Sequence, residues 1–413
     1  MPTTLNKTSM ETPASDNYRW VMFAVYFVGS FSFAATFHSI PPLLPLMIPE
    51  LKISFAEAGS LMSLFALPGI VLPIPIGLWA DRQRGGPHVL IAAYVVLILG
   101  MLTMAVSTSY PMLLAGRLVA GAGGTAVTLL VTRSVSQWFR HRDLGIAMGL
   151  FVTAFPIASV LTLSFLGTFG AWAGWRIALL AGPVGVSVAL VALLLLYRPA
   201  PIISELAARL NETREPLLKK TLSIGRPSWL LGMIWMWFNA GLVSFITFGP
   251  AYFTDRGFDL GLAGFVTSIQ MLTAPFLAPI IGHLIDRYQR PTLFIGGSFV
   301  VGAFGFLAVP FSASLVLVPL IVLSVAWSFG PSSIFYLASK VARPQDSGVA
   351  YGVLNACANV GIVFGPFLVG FVRDTTGFYE YALVLIAAFA ALGAVTTVGF
   401  ALSRKRTQLA LEG

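Results

Sequence analysis

A chain of 413 residues that is 57% hydrophobic and only 10% charged lacks the polar surface of a soluble protein, since soluble domains carry about 25% charged residues. Its apolar runs reach the roughly 20 residues a helix needs to cross about 30 Å of hydrocarbon, and no ten-residue alternation of the outer-membrane barrel kind is present. Composition excludes a soluble domain and predicts an all-α polytopic membrane protein.

The polar segment 1–19 has no apolar core or cleavage pattern of a signal peptide, so it reads as a retained cytoplasmic tail. Twelve spans follow, near 20–47, 57–80, 88–107, 110–138, 144–167, 174–197, 229–252, 261–285, 292–309, 314–340, 347–372 and 381–402. The first ends in Pro41-Pro42-Leu-Leu-Pro45, which is expected to bend or stop it. The second carries Pro68, Pro73 and Pro75, and the fourth carries Gly116, Gly121, Gly123 and Gly124, small residues that let helices approach closely. Residues 198–228 form the one long polar segment, read as a cytoplasmic linker with a short surface helix near Ser204–Asn211. A second bundle, 229–402, and a cytoplasmic tail, 403–413, complete the chain. The single Cys357 allows no internal disulfide.

With the N-terminus in the cytoplasm, 19 Lys and Arg fall on the inner side and four on the outer side, and Arg117 and Arg133 lie within a span. The positive-inside rule fixes this orientation, with both termini cytoplasmic. The net charge of +9 therefore reflects topology and needs no nucleic acid.

The second half repeats the first. Gly77-Leu-Trp-Ala-Asp81-Arg82 returns as Gly282-His-Leu-Ile-Asp286-Arg287, 205 residues later. Arg140-His-Arg-Asp143-Leu-Gly145 returns as Arg343-Pro-Gln-Asp346-Ser-Gly348 at an offset of 203. Two six-helix bundles of one topology, 20–197 and 229–402, are related by an axis along the membrane normal, an arrangement used by transporters that rock about a midplane site.

These motifs resemble those of the major facilitator superfamily, over nearly the whole chain. Gly77-x-x-x-Asp81-Arg82 is similar to the family's GxxxDRxGRR loop, and Leu114-x-x-Arg117-x-x-x-Gly121 to its helix-4 motif. The resemblance implies twelve helices in two pseudo-symmetric bundles, a gating role for the loop and a link of Arg117 to proton handling. The sequence departs at Arg84-Gly85-Gly86, and its fifth span lacks the GPxxGG element of drug/proton antiporters.

Physics assigns Asp81 a role independently: a carboxylate at the negative end of a helix dipole needs a cation or a helix N-terminus nearby. Arg82, Arg84 and Arg133 are candidate partners, and Asp286, Arg287 and Arg290 form the echo; a plain solvated loop is the structural alternative.

No Asp or Glu lies deep in a span, so proton coupling must use something else. The candidate substrate ligands are His38, Arg117, Trp235, Asn239, Gln270, Trp327, Tyr336, Asn355 and Asn359. Polar groups inside a bilayer are costly unless they face a cavity or a partner. Each also has a structural reading: Arg117 binding carbonyls, the Asn pair gluing helices, the aromatics packing. His38 is the coupling candidate, because an unperturbed imidazole titrates near pH 6.5.

Motifs of hydrolases, nucleotide-binding loops and metal clusters are absent, so no enzyme, cofactor or metal is expected. The expectation is a monomeric, alternating-access secondary transporter in the cell (inner) membrane. Its partners are the bilayer, a small-molecule substrate and, in the symport case, a co-transported proton. With positive or neutral groups and no fixed negative charge in the spans, a small organic anion such as a monocarboxylate is favoured, by symport or uniport. The arginines of nitrate carriers in helices 2 and 8 are missing. The alternative is an exporter of neutral amphipathic compounds, and a remote one is a membrane-embedded receptor or enzyme.

Overall fold

The computed structural model describes residues 17–82, 87–139, 142–198, 225–312, 315–341 and 347–412. Twelve spans appear in it, numbered here in chain order. They are α1 Tyr18–Leu51; α2 in three pieces, Phe55–Ala66, Pro68–Val71 and Pro73–Arg82; α3 His88–Ala105; α4 Tyr110–Trp138; α5 Leu144–Ala173; α6 Trp175–Leu196; α7 Arg226–Asp255; α8 Leu260–Tyr288; α9 Pro291–Phe311; α10 Leu317–Val341; α11 Ser347–Thr376; and α12 Tyr379–Glu412. Among the described residues eleven helices are long and apolar enough to cross a membrane, and α2 falls short only because prolines cut it. The expected linker helix near Ser204–Asn211 lies outside the described residues.

Local sequence explains where the helices break. In α1 the regular helix stops at Phe37, because Pro41 and Pro42 have no N–H to return to the preceding turn; a 3₁₀ turn, Pro41–Leu43, leads to Leu44–Leu51. Thr153 interrupts α5 three residues before Pro156, and Thr273 interrupts α8 two residues before Pro275. A capping box starts α2: Ser54 Oγ accepts from the Glu57 N–H at 3.1 Å, and Glu57 accepts from the Ser54 N–H at 2.8 Å. Gly174, at φ +89, makes the turn between α5 and α6, a conformation closed to most side chains.

The face carrying the start of α1 and the α6–α7 connection is called the tail face, and the opposite one the far face. Within the first half the expected small-residue contacts form: a side chain at Gly116 or Gly123 would meet α3, and one at Gly121 or Gly124 would meet Phe65 and Phe33.

The two halves touch mainly toward the far face. There the first piece of α2 packs on α11, the far half of α5 packs on the first half of α8, and the outer end of α1 packs on α7. Backbones meet directly: Gly59 abuts Pro366, Gly370 abuts Phe55, and Gly264 abuts the Leu163 carbonyl. Ser63 Oγ donates to the Val363 carbonyl. The tail-side segments Pro73–Arg82, Leu144–Val152 and Ala274–Tyr288 make no extensive contact with the other half. A Cβ added at Gly77, Gly145, Gly149, Gly282 or Gly352, all near the tail face, would meet nothing within 4 Å. Among the described residues the halves are closely joined toward the far face and not toward the tail face.

Candidate functional site

The break in α1 builds the site. Phe37 O has no helical donor, because residue 41 is proline, and the Arg117 guanidinium on α4 supplies one instead, with Nη2 at 2.7 Å. Its Nη1 donates to Thr36 O at 3.1 Å and its Nε to Leu61 O at 3.0 Å, while Nη2 also reaches the Met62 sulfur at 3.1 Å. The Phe65 ring lies under the guanidinium, 4.4 Å from its centroid. Arg117 is wholly buried, and among the described residues it makes no ion pair with a carboxylate. Its charge is met by carbonyl dipoles and a ring face alone.

His38 follows directly on Phe37. Its Nδ1 lies 2.9 Å from Ser159 Oγ on α5, and the Phe155 ring stands 5.3 Å away. Phe33, Phe37, Phe65 and Phe155, from α1, α2 and α5, contact one another at centroid distances of 5.4 to 6.4 Å. Phe33 and Phe155 are half-buried, whereas His38 is 1% exposed. On α5, Ser159 lies about one turn on the tail side of the seal at Leu163, so this cluster lies just beneath the far-face closure.

In the second half Gln270 stands 205 residues after Phe65, at the repeat offset. It is 3% exposed, and neither of its amide atoms has a partner among the described residues. A buried amide left unpaired costs about 1–3 kcal/mol, a cost that a ligand would offset. Trp235 is half-buried and stacks on Phe238 at 4.8 Å. Asn239 donates to its own Trp235 carbonyl at 2.7 Å.

The other expected ligands scatter. Trp327 packs inside the second bundle, against Phe238, Phe299 and Phe306, because Gly302 on α9 leaves room for its indole. Tyr336 lies toward the tail end of α10 and donates to Gln289 Oε1 at 3.0 Å. Asn355 is exposed, while Asn359 reaches the Gly69 carbonyl on α2 at 3.4 Å, a contact between halves at mid-helix. Arg117 has four of its donor contacts committed to α1 and α2. In this conformation it acts on the site through its field and does not present an open ligand.

Among the expected gating residues, Asp81 and Arg82 end α2, but their side chains, like all of Arg84, lie outside the described residues. Asp286, Arg287 and Arg290 are exposed around the α8–α9 turn, and Arg133 is half-buried in the tail-side half of α4.

Three further groups escaped the sequence reading. The Asp374 carboxylate, at the far end of α11, accepts from the Phe55 and Ala56 N–H groups that open α2, both at 2.8 Å. This is a cross-half cap on a helix N-terminus. Beside it the Arg373 guanidinium lies over Phe55 and Tyr379, at 4.8 and 4.4 Å. Arg19, at the start of α1, pairs with Asp143, at the start of α5, at 2.8 Å. Ser159 is the third, and nothing in its sequence context distinguishes it from a serine bonded within its own helix.

Comparison with known proteins agrees with this architecture. The chain is 24% identical over 367 residues to the probable nitrate transporter NarT of Staphylococcus epidermidis, covering 87% of this chain and 90% of that one. It is 20% identical over 358 residues to the human lysosomal dipeptide transporter MFSD1, covering 82% and 76%. Among solved structures, the nucleoside transporter NupG superposes with a TM-score of 0.77 at 15% identity over 93% of this chain and 99% of that one. A bacterial homologue of the human lysosomal transporter Spinster, inward-facing and unoccupied, gives 0.78 at 17% over 95% and 98%. The family model of the Major Facilitator Superfamily matches residues 23–366, and with twelve helices in two repeated bundles the chain belongs to that superfamily of secondary transporters.

Proposed function

We propose that this transporter carries a small organic anion such as a monocarboxylate, by symport or uniport, across the cell membrane as a monomer with both termini cytoplasmic. One observation carries the reading: among the described residues the buried Arg117 has no carboxylate partner, so a positive charge met only by carbonyl dipoles and a ring face lies beside His38 and the phenylalanine cluster. A positive field in a low-dielectric setting favours an anion over a cation or a neutral solute. Relatives named as probable nitrate transporters support the same charge sign.

His38 and Gln270 are the ligands proposed from the two halves, with Trp235, Asn239, Asn355 and Asn359 along the path. The halves 20–197 and 229–402 are the moving bodies. With the tail face cytoplasmic, the described conformation is inward-facing, and Asp81, Arg82, Arg84, Arg133, Asp286, Arg287 and Arg290 are assigned to the gate that closes in the opposite state.

A second reading, export of neutral amphipathic compounds, is favoured by the four phenylalanines and by the commitment of Arg117 to carbonyls. Uptake of labelled short carboxylates, nitrate and neutral amphiphiles into proteoliposomes, with and without a pH gradient, separates the two. Saturable uptake of anions alone is the expected result; saturable flux of the neutral compounds alone would replace the first reading with the second.

A further inference from the structure

A serine hydroxyl has a single hydrogen to donate. Ser159 Oγ lies 2.7 Å from the Phe155 carbonyl, which can only accept, so the hydroxyl hydrogen goes there. With both contacts made as hydrogen bonds, the same oxygen presents a lone pair toward His38 Nδ1, at 2.9 Å, and Nδ1 carries the hydrogen between them. The Ala34 carbonyl accepts the His38 backbone N–H at 3.1 Å. In the neutral ring Nε2 then bears a bare lone pair, and it forms no hydrogen bond among the described residues. Around the ring, α1 and α5 contribute Phe37, Phe155 and Ser159, and the charged group is Arg117 on α4; no carboxylate takes part.

From this geometry we propose that Ser159 is a positioning residue that holds His38 as the Nδ1–H tautomer and thereby makes transport proton-coupled. The inference rests on the anion reading above. A bare Nε2 lone pair repels an anionic oxygen, so the anion binds only when one proton arrives with it. That proton bonds to Nε2, giving an imidazolium that donates to the substrate oxygen. On release it leaves with the anion, so one proton and one negative charge cross together. The other tautomer, Nε2–H, would donate to the anion directly and carry it without a proton. The hydroxyl of Ser159 thus decides between symport and uniport.

The tautomer can be read with no substrate present, which separates its failure from failure of the anion reading. The chain has four histidines, so solid-state ¹⁵N spectra of histidine-labelled protein in bilayers, minus those of His38→Gln, isolate the His38 signals. The expected spectrum has Nδ1 protonated and Nε2 bare. In proteoliposomes one-to-one symport accumulates the anion about tenfold for each pH unit of gradient, since a factor of ten matches one unit. Ser159→Ala should abolish that accumulation while anion exchange continues, and Ser159→Thr, which restores a hydroxyl, should recover it. A wild-type spectrum with Nε2 protonated overturns the proposal, and so does a Ser159→Ala protein that accumulates anion like the wild type. If Ser159→Ala does not fold, the wild-type spectrum decides alone.

Discussion

Arg117 owes its place to a proline four residues beyond the carbonyl it serves. Replacing it with Met keeps the bulk but strands the Phe37 carbonyl, whereas the Thr36 carbonyl keeps the Ser39 hydroxyl at 2.8 Å. A buried acceptor left unpaired costs about 1–3 kcal/mol, so Arg117→Met should lower the melting temperature in detergent by several degrees. A melting temperature within a degree of wild type would show that the Phe37 carbonyl finds another donor. His38→Gln retains a polar group that cannot titrate; it is expected to lose gradient-driven accumulation and keep exchange, as measured with and without a pH gradient. His38 and Arg117 were legible in the sequence because a polar group inside a span must justify its cost. Ser159 was not, because a hydroxyl bonded to its own helix costs little, and its role appears only when α5 meets α1. Trp327 was read as a cavity residue from its helix alone, and the glycine that makes room for it elsewhere lies on α9.

At the scale of the elements, the far-face seal depends on close backbone contact and one carboxylate. A side chain at Gly264 would occupy the position of the Leu163 carbonyl, so Gly264→Leu should prevent far-face closure. Asp374→Ala removes two acceptors from the start of α2. A charge at a helix N-terminus contributes about 0.3–1 kcal/mol when exposed, so the population closed at the far face should fall by no more than roughly fivefold. Spin-label distances between α5 and α8 at the far face measure both, and unchanged distances in Gly264→Leu would contradict the contact. The proline breaks in α1 and α2 were legible, because a missing N–H is a local property. Asp374 was not, since its partners lie 319 and 318 residues away and in the other half.

For the whole molecule, the repeat at 203–205 residues sets the architecture, and it was legible because each half keeps its own copy of the loop motif. Which face is closed was not, because the same sequence must support both states and the difference between them is a few contacts. Asp81 is assigned to that equilibrium and not to the site, so Asp81→Asn should slow turnover while leaving equilibrium affinity within about twofold. Lost affinity with unchanged exchange kinetics would contradict the assignment. A single site that opens to one face at a time is tested most directly by trans-stimulated exchange. Proteoliposomes preloaded with an unlabelled carboxylate should take up the labelled anion several-fold faster than empty ones, with saturation. Flux that is linear in concentration and indifferent to the internal anion would contradict alternating access.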